Sequence, residues 1–188
     1  GLSLSEISTF VAAFYIGAMV FQFPIGWLSD RMDRRILIVV TSAIGFIAAL
    51  SAVVVADVFL IIVGSAFFIG GMSNPLYSLL IAYTNDFLEL DDMASASGGL
   101  LFLNGLGAIS GPLLTGYLMT KMGPEGFFII LATLLGLLTV YGFYRMTQRG
   151  ISDVDTSSYA AVIPTASVVA VEIAQELAIE AAEEAEES

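Results

Sequence analysis

The sequence predicts an all-α membrane protein built on five transmembrane helices, and three observations carry that reading. Its 188 residues are 57% hydrophobic and 13% charged, with a mean hydropathy of +0.90, whereas a soluble domain is about 45–50% apolar and about 25% charged. Five apolar stretches each reach the length of about 20 residues needed to cross a hydrocarbon core about 30 Å thick. The stretches are also apolar without a break. Ile36-Leu37-Ile38-Val39-Val40 has no polar position, where a barrel strand alternates with period two.

The first span runs from Ile7 to Leu28 and ends on the polar loop Ser29–Arg35, which holds Arg31, Arg34 and Arg35. A tight turn at Asp57 separates the second span, Ile36 to Ala56, from the third, Val58 to Tyr83. Gly70, Gly71, Ser73, Asn74, Pro75, Tyr77 and Ser78 cluster in the middle of span three. The separator Thr84–Met93 carries Asp86, Glu89, Asp91 and Asp92 and leads to span four, Ala94 to Met119. That span contains Gly98, Gly99, Gly105, Gly107, Gly111, Pro112 and Gly116; Gly107 and Gly111 share a helix face, and Pro112 is expected to bend the helix. Thr120–Glu125 then connects to the fifth span, Gly126 to Tyr144. Short polar separators make consecutive helices antiparallel neighbours.

Charge sets the orientation and removes several function classes. Five of the six basic residues fall at one end of the spans: Arg31, Arg34, Arg35, Arg145 and Arg149; Lys121 falls at the other. Basic loops are retained in the cytoplasm, so Gly1 is expected outside and the chain beyond the last span inside. A net charge of −12 leaves no footprint for nucleic acid. The chain has no cysteine and no histidine, which excludes thiol and imidazole metal sites, disulfides and histidine-based triads; neither a metal nor a cofactor is expected. Gly1–Ser5 has no basic segment, so no signal peptide is expected and a piece of a longer protein is. Residues 149–188 are read as an acidic, mostly disordered cytoplasmic tail: a linker rich in Ser, Thr and Ala, then an Ala/Glu stretch of partly helical spacing.

The loop after span one is the most specific feature. Gly26-Trp27-Leu28-Ser29-Asp30-Arg31-Met32-Asp33-Arg34-Arg35 resembles the Gly-x-Leu-Ala/Ser-Asp-Arg-x-Gly-Arg-Arg loop motif of the major facilitator superfamily, with Asp33 in place of the usual glycine. Span four is similar to a second motif of that family, Gly-x8-Gly-x3-Gly-Pro-x2-Gly-Gly, through Gly98, Gly107, Gly111, Pro112 and Gly116, with Thr115 in place of one glycine. The two motifs agree on register. The resemblance implies that the spans correspond to helices 8–12 of a twelve-helix transporter made of two pseudo-symmetric halves. Pro75-Leu76-Tyr77-Ser78, Asn85-Asp86, Leu100-Leu101 and Gly105-x-Gly107-Ala108 look like the uncharacterised YcaD-like branch. The function implied by resemblance is secondary transport of a small solute across a bacterial inner membrane, with the bilayer, the other transporter half and the solute as partners.

The resemblance also implies roles. Gly26, Asp30, Arg31, Arg34 and Arg35 would form a gate on the cytoplasmic side, with Asp30 meeting a helix N-terminus of the other half and Asp86 or Glu89 pairing with a loop arginine. Glycines 98, 107, 111 and 116 with Pro112 would form a helix-packing face. The helix matching span three lines the central cavity in the family, which makes Asn74, Tyr77, Ser78 and Ser73 the first substrate-binding candidates, with Asn104 and Gln22 behind them. Asn74 and Tyr77 are three residues apart and share a helix face. Polar residues in spans also serve as interhelical bonds worth about 0.6–2 kcal/mol, and for any one of them that bland role is the larger prior. An enzyme is improbable, because an intramembrane protease needs a Ser–His pair or mid-span aspartates. A channel-like or assembly subunit without alternating access is the rival class.

Overall fold

The computed structural model describes residues 3–55, 57–88 and 90–148, and the side chains of 90–94 are left aside. The predicted acidic tail lies outside the described residues. Five helices succeed one another: α1 Leu4–Ser29, α2 Arg34–Val54, α3 Phe59–Asn85, α4 Leu90–Met122 and α5 Glu125–Gln148. All five are long and apolar enough to cross a membrane. Each is longer than the apolar run that marks it in the sequence, except that α2 ends at Val54. Polar side chains cap the starts of α1 and α2. At the start of α1 the Ser3 hydroxyl accepts from the Glu6 N–H at 3.3 Å and the Glu6 carboxylate accepts from the Ser3 N–H at 2.7 Å, a reciprocal pair that satisfies two end donors.

Two separators are shorter than the sequence implies. Asp91 and Asp92, expected in a loop, lie in the first turn of α4. Thr120 to Met122 extend α4 until Gly123, whose φ of +80° is a left-handed position that glycine takes without steric cost. The Gly123 N–H donates to Met119 O at 2.9 Å and closes the helix.

The helices pack in the order α1, α3, α2, α5, with α4 against the outer side of α5. Helices α2 and α3 are therefore the inner pair, α3 in contact with α1 and α2, and α2 with α3 and α5. Small residues make the α1–α3 crossing close. A Cβ on Gly17 would stand 1.9 Å from Phe67 O, and one on Gly70 would stand 2.1 Å from Phe14 O. Backbone therefore meets backbone, as in small-residue membrane helix pairs. Two apolar clusters fill the rest. One joins Ile25, Leu37, Ile38, Met72, Leu76, Leu79 and Leu135 toward the arginine-rich end. The other joins Ala48, Ala49, Ala52, Ile62, Ile69, Phe128 and Ala132 toward the opposite end.

Helix α4 differs from the rest. None of the membrane-spanning window Ser95–Met122 is buried. A Cβ on Gly98, Gly99, Gly105, Gly107, Gly111 or Gly116 would meet nothing within 4 Å, so the glycine face expected to pack against a helix is open among the described residues. The close glycine of α4–α5 packing is Gly126, where a Cβ would stand 2.7 Å from Leu118 backbone.

Candidate functional site

The arginine-rich loop folds into a latch. Helix α1 ends at Ser29 and is capped by Asp30, whose N–H reaches Gly26 O and Leu28 O. Three residues later Asp33 takes φ −56° and ψ 116° and caps α2 by accepting from the Arg35 N–H at 2.9 Å. This explains how an aspartate stands where the family motif has glycine. The turn needs no positive φ, and a carboxylate at the cap satisfies an end donor of α2. The Arg35 guanidinium then forks onto the same carboxylate, Nε at 3.1 Å from both oxygens and Nη2 at 2.8 Å from Oδ2. Burial works against the Asp33 charge, but the hydrogen bonds and positive charge of Arg35 outweigh it, holding the carboxyl below the usual carboxylate range. Arg31 folds back on α1 instead, donating to Trp27 O at 3.0 Å with its guanidinium 4.2 Å above the indole ring.

Arg34 turns inward and is 1% exposed. Its Nε donates to Ser29 Oγ at 3.1 Å, and its Nη1 donates to Ala82 O at 3.2 Å and to the Asp86 carboxylate at the end of α3. The Asp30 carboxylate approaches Nη2 at 3.9 Å from the other side. Asp86 is 7% exposed and Asp30 44%. A buried cation held by two carboxylates, a carbonyl and a hydroxyl thus ties the end of α1, the start of α2 and the end of α3 into one unit. Buried charges persist only when paired and hydrogen-bonded. Of the two carboxylates, that of Asp30 is the more exposed. Glu89 lies outside the described residues.

The substrate-binding candidates divide. Tyr77, Leu80 and Ile81 of α3 face Leu100, Leu103, Asn104, Gly107 and Ala108 of α4 across a cleft of about 500 Å³. Tyr77 and Asn104 are its polar side chains; the remaining wall is apolar. Asn74 and Ser73 are half-buried on α3 like Tyr77, but the Asn74 amide donates to Gly70 O of its own helix at 3.3 Å. Ser78 is turned into the bundle and 1% exposed. Gln22 is half-buried on α1 and is not part of the cleft lining. The cleft is a concave, mostly apolar space with few polar groups, as ligand sites commonly are.

Two polar bridges leave no signal in the sequence. Ser51 and Ser65 share a hydrogen bond at 3.0 Å between α2 and α3, and Thr139 donates to Ser42 Oγ at 3.0 Å between α5 and α2. Serine and threonine are too frequent in apolar helices for such a pair to stand out without knowing which helices touch.

Comparison with known proteins agrees with this architecture. The family model described as Major Facilitator Superfamily matches residues 1–171. The chain is 33% identical over 138 residues to the uncharacterized MFS-type transporter YfkF of Bacillus subtilis, covering 71% of this chain and 34% of that protein. It is 28% identical over 136 residues to the uncharacterized MFS-type transporter YcaD of Escherichia fergusonii, again covering 71% and 34%. The chain thus spans about one third of the length of the curated relatives it matches. No solved structure matches. The five spanning helices, the loop motif and these matches place the chain, as a multi-pass membrane protein, in the major facilitator superfamily.

Proposed function

We propose that this chain supplies helices 8–12 of a secondary transporter that moves a small solute across the bacterial inner membrane by alternating access. The observation that carries the reading is the latch on Arg34, which sits in the family's loop motif and locks three helix ends together at one face of the membrane. A half that moves as a rigid body needs such a lock within itself and a weaker, breakable contact to its counterpart. Asp30, exposed beside the latch, is the group suited to that outer contact. The cleft between α3 and α4, concave and mostly apolar with Tyr77 and Asn104 as its polar side chains, is suited to face the solute. The spans hold no carboxylate at depth: Asp30 and Asp86 lie at one end and Asp57 at the other. A proton-carrying group is therefore expected elsewhere in the full-length protein.

The test is made in the full-length gene product. Asp30→Asn is expected to reduce transport at least tenfold and to raise cytoplasmic accessibility of the cleft, measured by thiol labelling of Asn104→Cys. Wild-type transport with unchanged accessibility would remove the gating role. A pore that conducts continuously, with no saturation by solute, would favour the channel reading instead.

Orientation is checked separately. The chain lacks cysteine, and Ser3, Met32 and Thr120 are exposed, so single cysteines there label without background. An impermeant thiol reagent on intact cells is expected to reach positions 3 and 120 and to spare 32. Ser29 is unsuitable because its side chain is buried against Arg34. Labelling at 32 alone would reverse the topology.

A further inference from the structure

The geometry points to a binding site for the headgroup of an anionic phospholipid between α2, α3 and α5. A cavity of about 140 Å³ lies at the arginine-rich end, lined by Arg35, Tyr83, Tyr141 and Arg145 with Leu80 and Leu138 beneath them. It is several times the roughly 30 Å³ that a water occupies in the liquid, room for a phosphate and the glycerol carbons next to it. Arg145 makes no ion pair with any described residue, and arginine presents planar donors matched to phosphate oxygens. Tyr83 and Tyr141, whose side chains carry hydroxyls, line the same cavity. An aromatic and basic belt alone would scatter these groups around the bundle; here three helices bring them to one cavity.

A lipid, not a soluble phosphate, is the occupant that the walls favour. Below the basic rim the lining is Ile38, Leu80 and Leu138, and Leu134, one turn before Leu138 on the same face of α5, is 57% exposed. An acyl chain leaving the cavity has a continuous apolar surface to follow, and basic pockets between membrane helices are known hosts of anionic headgroups. This site needs only that the chain spans a membrane. It does not depend on which solute is moved, or on the latch acting as a gate.

The experiment is native mass spectrometry of the full-length protein in detergent, titrated with phosphatidylglycerol or phosphatidylcholine. Phosphatidylglycerol is expected to be retained preferentially, and Arg145→Gln is expected to reduce that preference about fivefold, the effect of about 1 kcal/mol for one basic residue near a lipid phosphate. Arg145→Lys keeps the charge but loses the planar fork, and is expected to fall between wild type and Arg145→Gln. Lys121→Gln, at the opposite end, is expected to change nothing. Equal loss with Lys121→Gln, or no loss with Arg145→Gln, overturns the site. Displacement of the lipid by millimolar inorganic phosphate assigns the cavity to a soluble anion and overturns the lipid. Binding that emerges only after residues 151–188 are removed assigns it to the acidic tail, with the same consequence.

Discussion

Replacing Gly70 with alanine is expected to separate α1 from α3, whereas the same replacement at Gly64, six residues earlier on the same helix, is expected to be neutral or mildly stabilising. The contrast comes from the atoms that a single added carbon meets. At Gly70 it would lie 2.1 Å from Phe14 O and 2.8 Å from Phe14 C, both backbone atoms that cannot rotate aside; at Gly64 it would meet nothing within 4 Å. Overpacking a rigid contact costs about 1–3 kcal/mol and more where backbone must move, and two helices pushed apart also lose the dispersion contacts along their seam. Alanine in an open helical position gains up to about 1 kcal/mol over glycine. Thermal unfolding of the full-length protein in one detergent is expected to drop by well over 5 °C for Gly70→Ala, a shift of the size that a few kcal/mol produces, and to hold or rise for Gly64→Ala. Equal behaviour of the two variants would show that α1 and α3 do not cross at Gly70. Gly107→Ala adds a second contrast, because its face is open among the described residues. Loss of stability there would locate the covering helix in another part of the full-length protein.

These glycines also show what a single sequence can and cannot disclose. The five spans are legible because the bilayer sets helix length and each apolar run meets it. The loop motif is legible because its residues are consecutive and their order is specific. Glycine density directs attention to α4, while the closest backbone contacts fall on Gly17 and Gly70, at the crossing of α1 and α3. Whether a small residue matters depends on which helix crosses there, and a single sequence holds no record of that. Tyr77 and Asn104 lie 27 residues apart in sequence and meet across one cleft for the same reason. Asn74, which shares the helix face of Tyr77, turns instead to its own backbone, a local competition that spacing arguments do not resolve. Asp33 departs from the family motif at a turn that here needs no positive φ, and its role at the cap depends on a side-chain oxygen that glycine lacks.

Removing one partner of the Arg34–Asp86 pair is expected to damage the protein more than removing both. Arg34 is 1% exposed and Asp86 7%, so Asp86→Leu takes from a buried guanidinium the nearer of its two carboxylates and leaves that of Asp30 at 3.9 Å. Breaking a buried pair in this way costs about 3–5 kcal/mol, whereas exchanging both ions for apolar side chains of similar volume is often neutral or stabilising. The double variant Arg34→Met with Asp86→Leu is therefore expected to unfold at a higher temperature than either single one, and a double-mutant cycle should give a coupling within about 0.5–3 kcal/mol, as found for residues in contact. Transport is expected to divide differently. If the latch acts only through stability, activity recovers with the double variant; if it has to hold and release the ends of α1, α2 and α3 in turn, a methionine and a leucine cannot replace a pair of charges, and transport stays low in a well-folded protein. The proposed gate requires the second outcome. Additive losses of stability from the two single changes would mean that Arg34 and Asp86 do not form the pair on which that gate is built.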